Sequence, residues 1–324
     1  MEFLGKVAMF DEMGNQVSSF YDSIDTTSSE YFAIVSKKSG NTTLYNFMTA
    51  EGKVISKEWF IKVEPFKKDY EAVRVERIGG YQNLLNREGR LIILHNRYEI
   101  LTPLIDGRAI VKNVYGEQNI INSKGSLISR RWMYNVICFN GDFARVEVEK
   151  NRYNFVDMKG KFLLKRSAAF TSFNKFIIAI AGKNLTVIRE DTCEIIYATK
   201  EYFNMSFMAK GLRIQNLYGD YNFLNRETGQ PIFEKWQISL KAVWHTDYIC
   251  AIENTEDNAA WYIYDTFGNK LTEQSFVAIN DINRRGDYCN VKVIEDGNRV
   301  EKWLNLKTFE VKDRLSMLEV TECI

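Results

Sequence analysis

The sequence predicts an all-β chain of about nine tandem hairpin units, and three observations carry that reading. One short phrase recurs with small changes: "YNFVDMKG" from Tyr153, "YNFMTAEG" from Tyr45, "YNFLNRETG" from Tyr221, "QNLLNREG" from Gln82 and "QNIINSKG" from Gln118. Segments that alternate apolar and polar letters follow at regular distances. Aromatic residues make up 14% of the 324-residue chain against three prolines, a balance suited to pleated, half-buried surfaces.

Each unit opens with a short apolar strand that closes on Asp, Asn or Thr, followed by two variable residues and Gly. The pairs Asp11 and Gly14, Asn86 and Gly89, Asn122 and Gly125, Asp157 and Gly160, and Asp265 and Gly268 fit this spacing. Gly52 follows Thr49, and Asn225 and Gly229 stand one residue further apart. An Asx side chain at the first position of a type I turn accepts hydrogen bonds from the chain just ahead, and Gly takes the left-handed position that follows. Together they predict a hairpin with a type I turn and a G1 bulge.

A return strand is expected next ("KVIS", "RLIIL", "SLISR", "KFLLK", "QPIFE"), and then an alternating strand with one buried face, as in "YEAVRVER" (70–77) and "DFARVEVEK" (142–150). A lone three-stranded meander cannot shelter its apolar face, whereas stacked neighbours can. With degenerate copies around Thr192 and Thr308, the units recur every ~32 to 40 residues, the spacing of stacked arrays. Propellers usually have four to eight four-stranded blades. One continuous domain over 1–324 is therefore expected, an open curved or superhelical solenoid, with a closed propeller-like ring as the alternative. The segment "LKTFEVKDRLSMLEV" fits a short helix or a last strand equally well.

Trp59, Trp132 and Trp236 stand seven residues after their glycines, with Phe276 one place later in its unit. Recurrence in register points to a stacking position between units, with a binding surface as the second reading. Tyr115 in "NVYGEQN" and Tyr218 in "NLYGDYN" look exposed and join the candidate binding aromatics.

The remaining composition narrows the classes of function. Lys and Arg total 43 against 42 Asp and Glu, with no long run of one sign, so neither nucleic acid nor an anionic membrane is an expected partner. No window is long and apolar enough to span a bilayer, and the first twenty residues lack the pattern of a signal peptide. Five scattered cysteines do not read as a disulfide framework, which makes the cytoplasm the expected compartment and a virion the alternative.

His95 and His245 are far apart and have no cysteine nearby in sequence, so no metal is expected. The chain has no G-x-S-x-G elbow, no phosphate-binding glycine cluster and no calcium-loop pattern in "ENTEDN" (253–258). Neither catalytic residues nor a cofactor is expected.

The order of strand, Asp/Asn-x-x-Gly, polar residue, apolar strand and Ala-x-Val-like strand resembles the bacterial WG-repeat family, also written KWG, from Phe3 to about Lys312. The Trp of that family's dipeptide falls at Tyr45, Gln82, Gln118 and Tyr153, with Trp261 retained; its Gly falls at Asn46, Asn83, Asn119, Asn154 and Asn222. Asn tolerates the left-handed region best among non-glycine residues, so the exchange would keep such a position if one is needed. The resemblance implies a non-enzymatic array that mediates contacts, with no catalytic residues to carry over. A protein-interaction scaffold with an unidentified protein partner is the first functional expectation. A structural component of a phage particle or cell-surface machine is the second, and carbohydrate or small-ligand binding through surface aromatics is the third.

Overall fold

The computed structural model describes all residues except 1, 4, 94–97, 209–210, 244–246, 255–258, 283–286 and 314–324. Both histidines, most of the acidic loop 253–258 and the end of the polar tail lie outside the described residues. Among the described residues there is no helix, and every sheet is antiparallel with its strands in sequence order or its reverse. The chain forms two compact units, Met1–Ser167 and Ala168–Ile324. Both are built from the same tandem β repeat.

In the first unit a two-stranded pair, Glu2–Phe3 with Lys6–Val7, precedes four three-stranded sheets. The first sheet joins Ser23–Asp25, Ala33–Ser39 and Thr42–Met48; the second joins Lys62–Val63, Ala72–Glu76 and Gln82–Asn86. The third joins Glu99–Ile100, Arg108–Lys112 and Gln118–Asn122; the fourth joins Asn135–Asn140, Phe143–Glu149 and Arg152–Asp157.

The second unit continues the series. Its fifth sheet has four strands, Ala169–Phe173, Phe176–Ala181, Asn184–Arg189 and Ile195–Thr199. The sixth joins Tyr202–Met208, Gly211–Asn216 and Tyr221–Asn225, and the seventh Leu240–Ala242, Ile249–Asn254 and Ala259–Tyr264. The eighth again has four: Ala278–Ile282, Tyr288–Glu295, Asn298–Asn305 and Val311–Lys312. The last of these lies in the segment that fitted helix or strand equally well, and there it is strand.

The expected phase of the repeat needs correction. The recurring phrase forms the third strand of each sheet, the alternating segment the central strand, and the outer partner comes before both. The expected return strand is in most units a single bridge, such as Met48 with Val54, Leu85 with Leu91, Ile121 with Leu127 and Val156 with Phe162. It forms a laddered strand in the copies around Thr192 and Thr308, which is why those sheets have four.

Packing explains the repetition. Val73, Val75 and Leu85 of the second sheet bury against Phe47 of the first, while Ala72 and Leu84 bury against Ile100, Ala109, Val111 and Ile121 of the third. The third sheet turns Ile120 toward Ala144, Val146 and Val156 of the fourth. In the second unit Leu212, Ile214 and Leu224 meet Phe176, Ile178 and Val187, and Phe223 meets Ile249, Ala251 and Tyr264. Third strands therefore bury both faces, which accounts for their unbroken runs of three buried residues, an asparagine followed by two apolar side chains. Each fully buried Leu, Ile, Val or Phe contributes about 1.5–3 kcal/mol.

Polar ties add register between neighbouring sheets. The backbone N–H of Ile100 donates to Gln82 Oε1 (2.7 Å), and that of Val136 donates to Gln118 Oε1 (2.9 Å). Arg74 Nη1 donates to the Ile100 carbonyl (2.9 Å), and Arg213 Nη1 donates to that of Leu240 (3.1 Å).

Candidate interaction surface

At one end of the sheets stand the turns, which read Asp/Asn-x-x-Gly or a one-residue-longer form except at Thr49–Gly52 and in the two four-stranded sheets. In the Asx turns, Gly donates to the backbone carbonyl of the Asx residue: Gly14 to Asp11 (3.0 Å), Gly89 to Asn86 (3.0 Å), Gly125 to Asn122 (2.9 Å), Gly160 to Asp157 (2.9 Å), Gly229 to Asn225 (2.9 Å) and Gly268 to Asp265 (3.2 Å). The Asx side chain accepts from the backbone just ahead, as when Lys159 (2.9 Å) and Lys161 (2.8 Å) donate to Asp157 Oδ1. Asp11 is held below the ordinary carboxylate range, chiefly by the Asn15 side-chain amide. All of these glycines, Gly52 included, have positive φ.

Conformation is only half of what requires glycine here. A Cβ on Gly89 would stand 1.7 Å from the Ile55 carbonyl oxygen, on Gly160 1.9 Å from that of Ile128, and on Gly52 2.0 Å from that of Val17. The same holds at Gly125 against Ile92 (2.5 Å) and Gly268 against Ile232 (2.6 Å). Each turn is thus pressed onto the backbone of the preceding repeat. Gly14 has nothing within 4 Å.

The five recurring asparagines are not left-handed. Asn46, Asn83, Asn119, Asn154 and Asn222 are extended strand residues, all buried. Each accepts from the next backbone N–H through Oδ1 (2.8 Å in all five) and donates through Nδ2 to a chain segment ten or eleven residues on. Asn83 grips both backbone groups of Ile93, and Asn154 those of Leu164. Asn46 reaches the carbonyls of Ser56 and Glu58, and Asn119 those of Ser129 and Arg131.

This carboxamide clamp draws the chain off the ladder after one bridge, which is why the return strand is short. The equivalent positions in the two four-stranded sheets hold Thr186 and Lys302, and there the return strand stays paired. Where Ala8 and Tyr262 replace the clamp, a buried hydroxyl on the return segment takes the orphaned N–H. Met9 donates to Ser18 Oγ (2.9 Å) and Ile263 to Thr272 Oγ1 (3.2 Å).

The three tryptophans are half-buried and packed between sheets. Trp59 lies against Tyr21, Val35 and Met48, with Lys37 Nζ 4.0 Å from its ring centre. Trp132 joins the core shared by the second and third sheets beside Tyr98, and Trp236 the core shared by the fifth and sixth. Phe276 occupies the next position, where it pairs with Trp261 and is fully buried; Phe60 and Met133 do the same in their units, and the half-buried Gln237 pairs with Tyr221.

The opposite end of each sheet carries the hairpin between central and third strands. Tyr115 is 85% exposed and Tyr218 77% exposed, each at the tip of such a turn. Sequence reasoning overlooked their company. Val114 is as exposed as Tyr115, and Ile78 (68%) and Tyr81 (44%) stand at the corresponding turn of the second sheet. The second and third sheets share a core, and each presents such a turn with large apolar side chains in solvent. Among the described residues no group of His, Cys, Asp or Glu converges as a metal site requires.

No protein-family model matches the chain, and no curated protein matches it. Solved structures give faint likenesses. The computationally designed Ika8 protein is 9% identical over 81% of this chain and 90% of its own, with a TM-score of 0.26. BamB from Moraxella catarrhalis is 12% identical over 74% and 83%, with a TM-score of 0.26. Saccharomyces cerevisiae Sqt1 is 11% identical over 77% and 83%, with a TM-score of 0.24. At these scores no activity or partner transfers to this chain.

Proposed function

We propose that this chain is a non-catalytic protein-interaction scaffold of the WG-like repeat type, which grips a protein partner with the open turn end of its sheets. The observation that carries the reading is the exposure of Ile78, Tyr81, Val114 and Tyr115, large apolar side chains on the open hairpins of two sheets that share a core. Exposed apolar patches of this kind mark contact surfaces. Tyrosine suits that role because it offers a large amphipathic area at a small cost in side-chain entropy. The opposite turns are occupied by packing on their neighbours, so the open end is the one free to serve a partner.

Affinity capture from the native host tests the proposal, with the wild-type chain beside a Val114→Ser, Tyr115→Ser double variant. A stoichiometric protein retained by the wild type and lost by the variant is the expected result. Equal retention by both, or turnover of metabolites by the purified chain, would remove the reading.

A further inference from the structure

One register position on the central strands sets the second sheet apart. Glu76 occupies it, four residues on from Ala72, the partner of the turn residue Asn86. In the other sheets the equivalent residue is settled within the chain. Ser36 Oγ bonds to Ser23 Oγ (2.6 Å), Lys112 pairs with Glu99 (2.6 Å) and Lys292 with Glu301 (3.0 Å). Glu147 accepts from the backbone N–H of Asn151 (2.7 Å), and Gln215 donates to the Tyr221 hydroxyl (3.0 Å). Ile180 and Ile252 make the position apolar in the fifth and seventh sheets.

In the second sheet Lys62 stands directly opposite Glu76 on the first strand, just as Glu99 stands opposite Lys112 in the third. Opposite charges so placed normally meet and stabilise each other. Yet among the described residues the carboxylate of Glu76 makes no ion pair and no hydrogen bond, with Lys62 or any other. A cavity of about 60 Å³ lies there instead, lined by Lys62, Glu64, Arg74, Glu76 and Gln82.

Three of these side chains are fixed. Arg74 pairs with Glu64 and donates through Nη1 to the Ile100 carbonyl (2.9 Å), and Gln82 Oε1 accepts from the Ile100 N–H (2.7 Å). Both backbone groups of one residue in the third sheet thus hold the wall of the cavity. The groups left over are the half-buried Glu76 carboxylate, the exposed Lys62 ammonium and the Gln82 Nε2 donor.

We propose that this cavity binds a small zwitterion of the α-amino acid class, with its ammonium on Glu76 and its carboxylate on Lys62 and Gln82 Nε2. The lining holds two cations and two anions, so a bare anion meets Glu64 and Glu76, and a bare cation meets Lys62 and Arg74. Only a ligand that carries both signs satisfies both free charges, and charge withdrawn from water requires such pairing. The space is that of about four waters, which sets the ligand at roughly the size of glycine. Val114 and Tyr115 take no part, so the site stands or falls without the scaffold reading.

Saturation-transfer NMR on the full chain tests this, with glycine as the probe and acetate and methylammonium as its one-signed halves. Glycine should receive saturation with millimolar affinity, and each half should bind about tenfold more weakly or less. Lys62→Met and Glu76→Gln should each weaken glycine binding by about tenfold, equivalent to about 1.4 kcal/mol. Far-UV circular dichroism confirms that both variants are folded. No transfer to glycine, unchanged binding in either folded variant, or a half that binds as tightly as glycine would each overturn the proposal.

Discussion

The turn at 113–116 and the turn at 122–125 belong to one sheet and share one chemistry. Gly116 donates to the Asn113 carbonyl (3.1 Å) and Gly125 to that of Asn122 (2.9 Å). Asn113 Oδ1 accepts from Tyr115 (2.9 Å) and Glu117 (3.0 Å), and Asn122 Oδ1 from Lys124 (3.0 Å) and Ser126 (3.1 Å). Yet a Cβ on Gly125 would come 2.5 Å from the Ile92 carbonyl oxygen, whereas on Gly116 it would meet nothing within 4 Å. Gly40, Gly182, Gly219 and Gly297, at the same end as Gly116, are equally open. Local sequence sets the shape of both turns, but only one end is closed by its neighbours. The array spends one end of each sheet on stacking and leaves the other to solvent.

The sharpest way to break this contrast is a methyl group. Gly89→Ala places Cβ 1.7 Å from the Ile55 carbonyl oxygen at φ +75, so backbone of the preceding repeat must move. A loss of about 4 kcal/mol is expected, combining left-handed strain with displaced packing. Gly116→Ala carries only the strain, about 1 kcal/mol. Urea unfolding of the two variants measures the difference, and equal losses would end the distinction between the ends.

The clamp offers the next largest effect. Asn119→Asp removes the Nδ2 donor and turns a carboxylate oxygen toward the Ser129 and Arg131 carbonyls in a fully buried site. About 3 kcal/mol should be lost. Asn122→Asp, three residues away, should change stability by no more than about 0.5 kcal/mol, because Asp11, Asp157 and Asp265 already fill the equivalent turn position in their units. Tyr115→Ser should likewise stay within about 0.5 kcal/mol, since nothing packs over a tip that is 85% exposed.

These residues show what could be read in the sequence and what could not. The Asx and Gly of each turn act through neighbours two to four residues away, so their spacing alone declared the hairpin. The exposed places of Tyr115 and Tyr218 follow from the same local rule. The clamp depends on a partner ten residues on, and no short-range rule links Asn83 to Ile93. Its recurrence was plain, but its conformation was not, because Asn suits both a left-handed turn and a buried strand. The apolar run "RLIIL" had the pattern of a strand, and the clamp removes it from the ladder after Leu91. The carbonyls that press on Gly52, Gly89 and Gly160 belong to the preceding repeat, a relation that exists only once the sheets are stacked.

Acid separates carboxylate-held turns from amide-held ones, with the smallest effect of all. Asp25 accepts from the Ser28 hydroxyl, from the Thr27 backbone N–H (2.8 Å) and hydroxyl (2.9 Å), and from the Ser28 N–H (3.1 Å), bonds that lower its pKa from 3.8 to about 2. Because the folded state holds the depressed value, the stabilisation is complete above the ordinary carboxylate range. It is lost as the pH falls from about 3.8 toward about 2. Asp11 follows the same direction, held low first by the Asn15 side-chain amide. Asn86 and Asn122 carry no titrating group and keep their bonds throughout. Thermal melts across this window should therefore show a shallower acid decline in Asp25→Asn than in the wild type. Carboxyl carbon NMR would place the Asp25 midpoint directly, and a midpoint near the ordinary value would show that these bonds do not hold the turn.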